Sequence, residues 1–150
     1  MISVQREDPA SPDSQVLIEA LSAVLAEITG DSGKRHFNAE DLACEKAVWA
    51  VARNKSHEAL GCGAIRPLSN DVAELKRMYA DGRYPGTGAA LLAFLERAAA
   101  ELGYREVWLE TRHINRRAVA FYLKHGYRQR ANYGPYVGRD EAVCFSKSLG

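Results

Sequence analysis

Cysteine is scarce in this chain. The three present, Cys44, Cys62 and Cys144, form neither a C-x-x-C pair nor a zinc-ligand spacing. That excludes a disulfide framework and points to buried, reduced thiols in a cytosolic protein. The four histidines, His36, His57, His113 and His125, show no ligand spacing either, so no metal is expected. Charge of one sign is not in excess. A formal net charge of +1 gives no electrostatic case for nucleic acid or for an anionic membrane. No apolar run is long enough to span a bilayer. Residues 1–8 carry acidic side chains and lack the apolar centre of a signal peptide. Repeats and low-complexity segments are missing as well. What remains is a chain of 150 residues with 47% hydrophobic side chains, read as one cytoplasmic domain over residues 1–150 with a real core.

The chain is patterned throughout. Residues 2–6 alternate apolar and polar, as a half-buried strand does, and the prolines at 9 and 12 break the run. A helix is expected from about Ser14 to Gly30, with Ser11 or Asp13 as its cap. Val16, Leu17, Ala20, Leu21, Val24, Leu25 and Ile28 recur at helical spacing. Residues 31–38 read as a polar loop, and Asn38 as the cap of a short second helix. Residues 47–53 and 59–66, joined by the polar turn 54–58, read as a hairpin that continues into a strand over 72–80. The helix expected over 87–102 places Leu91, Leu95, Ala98 and Leu102 on one face and Glu96, Arg97 and Glu101 on the other. A strand over 105–110, a polar connection, a helix over 115–125, a flexible-looking loop over 132–138 and a strand over 142–149 complete the reading. Trp49 and Trp108 are expected in the core.

The stretch 73–110 organises the rest. It reads as strand, glycine-bearing loop, helix and strand. The first amides of a helix have no partner within it, and the helix dipole makes that end partly positive. Glycines let the backbone approach a ligand closely, so such a loop suits a phosphate or pyrophosphate. A P-loop would need a lysine after its glycines, which is missing. A dinucleotide-binding fingerprint would need glycine where Leu91 stands, and it would not follow three antiparallel strands. The pattern that fits is R/Q-x-x-G-x-G/A, at Arg83-Tyr84-Pro85-Gly86-Thr87-Gly88. A second pattern, N-x-x-A-x-x-F-Y-x-x-x-G-F/Y, fits Asn115, Ala118, Phe121-Tyr122 and Gly126-Tyr127.

The two patterns in this order, with nearly the whole run of elements, resemble the GNAT family, the Gcn5-related N-acetyltransferases. The resemblance is to the small bacterial single-domain type. It implies the acyl-CoA N-acyltransferase fold, an α/β (α+β) arrangement. In that fold a mixed, mostly antiparallel sheet with splayed central strands is flanked by helices. It also implies transfer of an acetyl group from acetyl-CoA to a primary amine of a small molecule or peptide, by a monomer or homodimer. Cofactor contacts are implied at Met78, Tyr79, Ala80, Arg83, Tyr84, Gly86, Thr87, Gly88, Ala89, Asn115, Ala118 and Tyr122.

Tyr122 matches the family's usual acid, because a phenol with a pKa of about 10 keeps its proton at neutral pH; the alternative is a packing tyrosine. Glu74 matches a strand carboxylate that serves as base in relatives; the alternatives are an orienting or an exposed residue. Asn115 either caps its helix or bonds the cofactor, or does both. Glu110, Tyr133 and Tyr136 line the acceptor pocket or lie on the surface. One departure stands out. The connection before Arg83 is about two residues shorter than in most relatives, and Pro85 has no N–H for a phosphate. Altered rather than lost cofactor contacts are expected. The rival readings are a catalytically silent acyl-CoA-sensing module and a Rossmann-type dinucleotide binder.

Overall fold

A computed structural model describes residues 1–33 and 39–150. His36 and the expected Asn38 cap lie outside the described residues. The elements, in order, are β1 (Ser3–Arg6), α1 (Pro12–Thr29), β2 (Val48–Arg53), β3 (Ala59–Pro67), β4 (Val72–Ala80), α2 (Thr87–Glu101), β5 (Glu106–Arg112), α3 (Arg116–Lys124), β6 (Arg128–Arg130) and β7 (Ala142–Ser148). Single 3-10 turns lie at Ala39–Leu42 and Gly134–Tyr136.

Among the described residues the strands form one seven-stranded sheet in the order β1-β2-β3-β4-β5-β7-β6. Only β4 and β5 run parallel; every other neighbouring pair is antiparallel. This is the mixed, mostly antiparallel sheet flanked by helices that the motifs imply. It is not the alternating parallel arrangement of a dinucleotide-binding domain. On one face α2 buries Leu91, Leu92, Leu95, Ala98 and Ala99 against Ala50, Ala52, Ile65 and Ala73 of the sheet. On the other, α1 presents Leu17 to Trp49, Val51, Cys62 and Ala64.

Helix α1 begins at Pro12, two residues before the expected start. Ser11 caps it by accepting from the Ser14 amide, and proline in the first turn loses no intrahelical bond. Its periodic apolar residues are not all core. Val16 is 68% exposed, because the polar Ser14 and Ser22 take buried positions instead. Ser14 has a partner there in the Trp49 indole N–H, at 2.9 Å.

The middle of the sheet is deformed. Cys62 pairs with Tyr79 and Ala64 with Lys76, so β4 spends three residues where β3 spends two. The extra residue is a bulge at Arg77, whose φ is +56°. The bulge puts Lys76 and Arg77, neighbours in sequence, on the same face of the sheet. Lys76 reaches Tyr136 in the β6–β7 connection, and Arg77 reaches α1. The strands close up beside the bulge. A Cβ on Gly61 would stand 2.4 Å from the Tyr79 carbonyl oxygen, so only glycine fits there.

Several expectations need correction. β5 runs on to Arg112, because Thr111 and Arg112 keep pairing with β7 where a polar connection was expected. The short edge strand β6 was not foreseen. Residues 132–138 are firmly held: Tyr133 and Tyr136 are buried, and the Asn132 side-chain amide donates to the carbonyls of Tyr136, Arg139 and Ala142. Glu96 does not face open solvent, since it accepts from the Tyr127 hydroxyl and the Lys147 ammonium. Cys44 is exposed, whereas Cys62 and Cys144 are buried. Trp108 is half-buried, lying edge-on to Tyr133 under the Arg130 guanidinium.

Candidate active site

The parallel pairing of β4 with β5 covers only Val72–Glu106, Ala73–Val107 and Glu74–Trp108. Beyond that point β4 stays with β3, and β5 stays with β7. The two strands therefore splay apart, and the sheet opens where Leu75–Ala80 and Leu109–Arg112 leave one another. Among the described residues no backbone hydrogen bond joins the two strands beyond that point, so their facing edges border the gap.

A groove runs through this gap and has two lobes. One is walled by 78–82 and 84–89 on the loop side, and by α1 and α3 opposite. The other is walled by Lys76, Arg77, Glu110 and Arg112 of the sheet and by the C-terminal end of α1. Leu21, Leu25, Met78, Asn115, Ala118 and Tyr122 border both lobes, so the lobes meet where the strands part.

The first lobe has the chemistry of an anion cradle. Gly86 precedes α2 with φ +89°, a conformation that disfavours any side chain. Among the described residues the amides of Gly86, Gly88 and Ala89 have no acceptor, while the Thr87 amide makes a long bond to the Tyr84 carbonyl at 3.4 Å. Gly88 packs under Phe121: a Cβ there would meet the ring at 3.2 Å. Arg83 lies at the margin. Its guanidinium is 78% exposed and bound to Asp81, itself on the lobe wall. Arg117 and Lys124 of α3, and His125 just after it, border the opposite side.

Tyr122 stands at the junction. Its ring is buried between Phe121 and Tyr127, both edge-on. Its hydroxyl has no hydrogen-bond partner among the described residues. Burial raises its pKa, so the phenol holds its proton throughout the physiological range. Asn115 caps α3: its side-chain oxygen accepts from the Ala118 amide at 3.3 Å while the residue borders both lobes. Capping and groove contact are thus compatible, as the sequence left open.

Glu74 is placed otherwise than a free base requires. It is 1% exposed and borders neither lobe. One carboxylate oxygen accepts from Arg66 at 2.8 and 2.9 Å, and the other from the Tyr133 hydroxyl at 2.7 Å. Arg66 is also bonded to Asp41. Tyr133 and Tyr136 are neither surface residues nor lobe walls; they pack with Ala142 and Cys144 behind the second lobe. Glu110 does border that lobe. One of its oxygens is bonded to Arg112, and the other is free among the described residues. Burial raises its pKa, against the opposing pull of Arg112 and Lys76.

Residues 16–127 match the family model described as "Acetyltransferase (GNAT) family". The chain belongs to the GNAT family. A protein of Azospirillum brasilense described as "IAA acetyltransferase" is 30% identical over 147 residues, covering 96% of this chain and 95% of that one. A crystal structure from Klebsiella pneumoniae, assigned as an acyl-CoA N-acyltransferase, superposes with a TM-score of 0.84 at 27% identity, covering 100% of this chain and 99% of the other. A GNAT-family acetyltransferase from Elizabethkingia anophelis with acetyl-CoA bound shares the fold, with a TM-score of 0.70 at 15% identity, over 98% and 97% of the two chains. Acetyl transfer is thus the general class of activity to which this GNAT chain is related.

The sequence reading missed some groove residues. Leu21 and Leu25 were read only as helix core, and Lys76 and Arg112 were not singled out at all. Their positions depend on the bulge in β4 and on the extension of β5. A charged pair in mid-strand, Lys76-Arg77, was the signal that could have been used.

Proposed function

We propose that this chain moves an acetyl group from acetyl-CoA to a primary amine held in the second lobe, with both substrates bound together. The observation that carries the reading is the junction of an amide-lined lobe and a carboxylate-bearing lobe beneath the Tyr122 hydroxyl. The residues present fit acetyl-CoA. The free amides of Gly86, Gly88 and Ala89 would hold its pyrophosphate, and the unpaired backbone at Met78–Ala80 would receive its pantetheine arm. Tyr79, Tyr84, Thr87 and Ala118 form walls, and Arg83 reaches the anion only by sharing its bond to Asp81. When bound, acetyl-CoA supplies an activated thioester.

The chain's own groups then manage protons. An alkylammonium near pKa 10 is not a nucleophile, so the acceptor must lose a proton. The free Glu110 oxygen takes it, directly or through water, and burial makes this carboxylate a better base than an exposed one. Tyr122 donates a hydrogen bond toward the position of the sulfur and holds the proton that a departing thiolate needs. Glu74 acts at one remove. It neutralises Arg66 and fixes Tyr133, which keeps the wall behind the acceptor lobe in place. The deciding experiment is a screen of amines with acetyl-CoA, read by thiol release and by mass spectrometry of the acceptor. Amine-dependent release with a gain of one acetyl group is expected. Tight CoA binding with no transfer to any amine, peptides included, would instead favour a silent acyl-CoA-sensing module.

A further inference from the structure

The acceptor lobe contains a cation that no carboxylate pairs among the described residues. Arg112 is bonded to Glu110 and lies 3.6 Å from Asp31. Arg66, behind the wall, is bonded to Glu74 and Asp41. Arg77 turns toward α1 and donates to the Ile18 and Ser32 carbonyls. Lys76 is different. Among the described residues its ammonium reaches no carboxylate within ion-pair distance; its hydrogen bond goes to the Tyr136 hydroxyl, at 2.8 Å.

An ammonium has three donors, and the neutral phenol takes only one. Lys76 is nonetheless largely withdrawn from water. Burial lowers its pKa despite the fields of Glu74 and Glu110, both of which are bonded to arginines. A half-buried cation held this way is costly unless an anion arrives. Tyr136 is fully buried and fixes the ammonium from behind, so the free donors are preorganised toward the lobe.

We propose that Lys76 anchors the carboxylate of the acceptor, and that the acceptor is an amino acid. This rests on the acetyl-transfer reading above and narrows it. Lys76 lies two positions before Met78, where the lobes meet. Glu110, which would take the amine's proton, borders the same lobe and lies close enough for its field to act on Lys76, so a compound whose amine and carboxylate are a few bonds apart reaches both. Leu21, Leu25 and Leu109 on the lobe wall suit an apolar side chain.

The test is calorimetry on the full chain, with and without CoA. The probes are L-phenylalanine and L-methionine, their carboxamides, and phenethylamine. The free acids should bind at least tenfold more tightly than the uncharged analogues. In Lys76→Met the preference should vanish, while Lys76→Arg should retain most of it. The thermal shift given by acetyl-CoA should be unchanged in both variants, which separates loss of the anchor from loss of the fold. Where the acids are acetylated, Lys76→Met should raise KM much more than it lowers kcat. Equal binding of acid and amide to the unaltered chain, no binding of either at millimolar concentration, or a preference that survives in Lys76→Met would each overturn the anchor. Tight acid binding with no acetylation would leave the anchor standing and overturn the transferase reading. Acetylation of amines with no preference for acids would do the reverse.

Discussion

The two lobes of the groove are built in opposite ways. The loop-side lobe is made of backbone. Its donors are the amides of a short contiguous segment, in which the backbone conformation of Gly86 and the ring packed over Gly88 each disfavour a side chain. The acceptor lobe is made of side chains brought together from α1, β4 and β5, with a buried layer of Arg66, Glu74, Tyr133 and Tyr136 behind it. A backbone site tolerates little variation at its glycines and does not depend on distant residues. A side-chain site can be retuned one residue at a time, but it falls if its support is removed. A common cofactor suits the first kind of construction and a variable acceptor the second.

The largest effect is expected in the backbone lobe. In Gly88→Asp the new side chain meets Phe121 and brings negative charge to an anion site. CoA binding followed by calorimetry should be abolished in a folded protein; retained affinity would remove the site from this loop. At the junction, Tyr122→Phe keeps the ring and its packing and removes only the hydroxyl. It should lower kcat by about 10²–10⁴-fold with little change in acetyl-CoA affinity. A variant with wild-type kcat and lower stability would make Tyr122 a packing residue.

Within the acceptor lobe, Glu110 and Glu74 should separate by pH. Glu110 must be ionised to accept a proton, and burial raises its pKa. The acidic limb of the pH–rate profile should therefore lie above the ordinary glutamate value of 4.5, with rate rising as pH rises through it. Glu110→Gln should lose that limb and most of the rate, about 10²-fold. The same burial disfavours the charged form in the fold, so ionised Glu110 weakens stability as pH rises through the raised pKa. Glu74→Gln should keep the limb where it is. Its effect should be on stability, on the order of 2 kcal/mol by denaturant unfolding, because a buried, charge-assisted contact to Arg66 is lost. A missing limb in Glu74→Gln would restore this residue as the base. The smallest effect belongs to Asn115→Ala. Losing the cap should cost about 1 kcal/mol of stability, while Asn115→Ser should recover most of it. A large loss of CoA affinity in both variants would show that the cofactor role outweighs the cap.

Much of the fold was legible in advance because its signals are local. Alternation marked β2, β3 and β4, and glycine after a periodic run marked the ends of α1 and α2. The glycine loop was readable for the same reason, since a helix start and its amides are made by adjacent residues. Glu74 was recognisable as a strand carboxylate but not as a bonded one. Arg66 is eight residues away on the neighbouring strand β3, and Tyr133 is fifty-nine residues away in sequence. Nothing local marks such partners.

The sequence by itself thus determined the family, the order of elements apart from β6 and the glycine loop before α2, because short-range periodicity and glycine placement are properties of neighbouring residues. Only the tertiary structure decided which carboxylate faces the groove. The bulge at Arg77 resets the side-chain alternation of β4. The end of β4–β5 pairing at Glu74 and Trp108 leaves Glu74 in the closed part of the sheet and Glu110 in the open part. Both depend on how separate strands pair, and long-range pairing leaves no periodic trace in either strand alone.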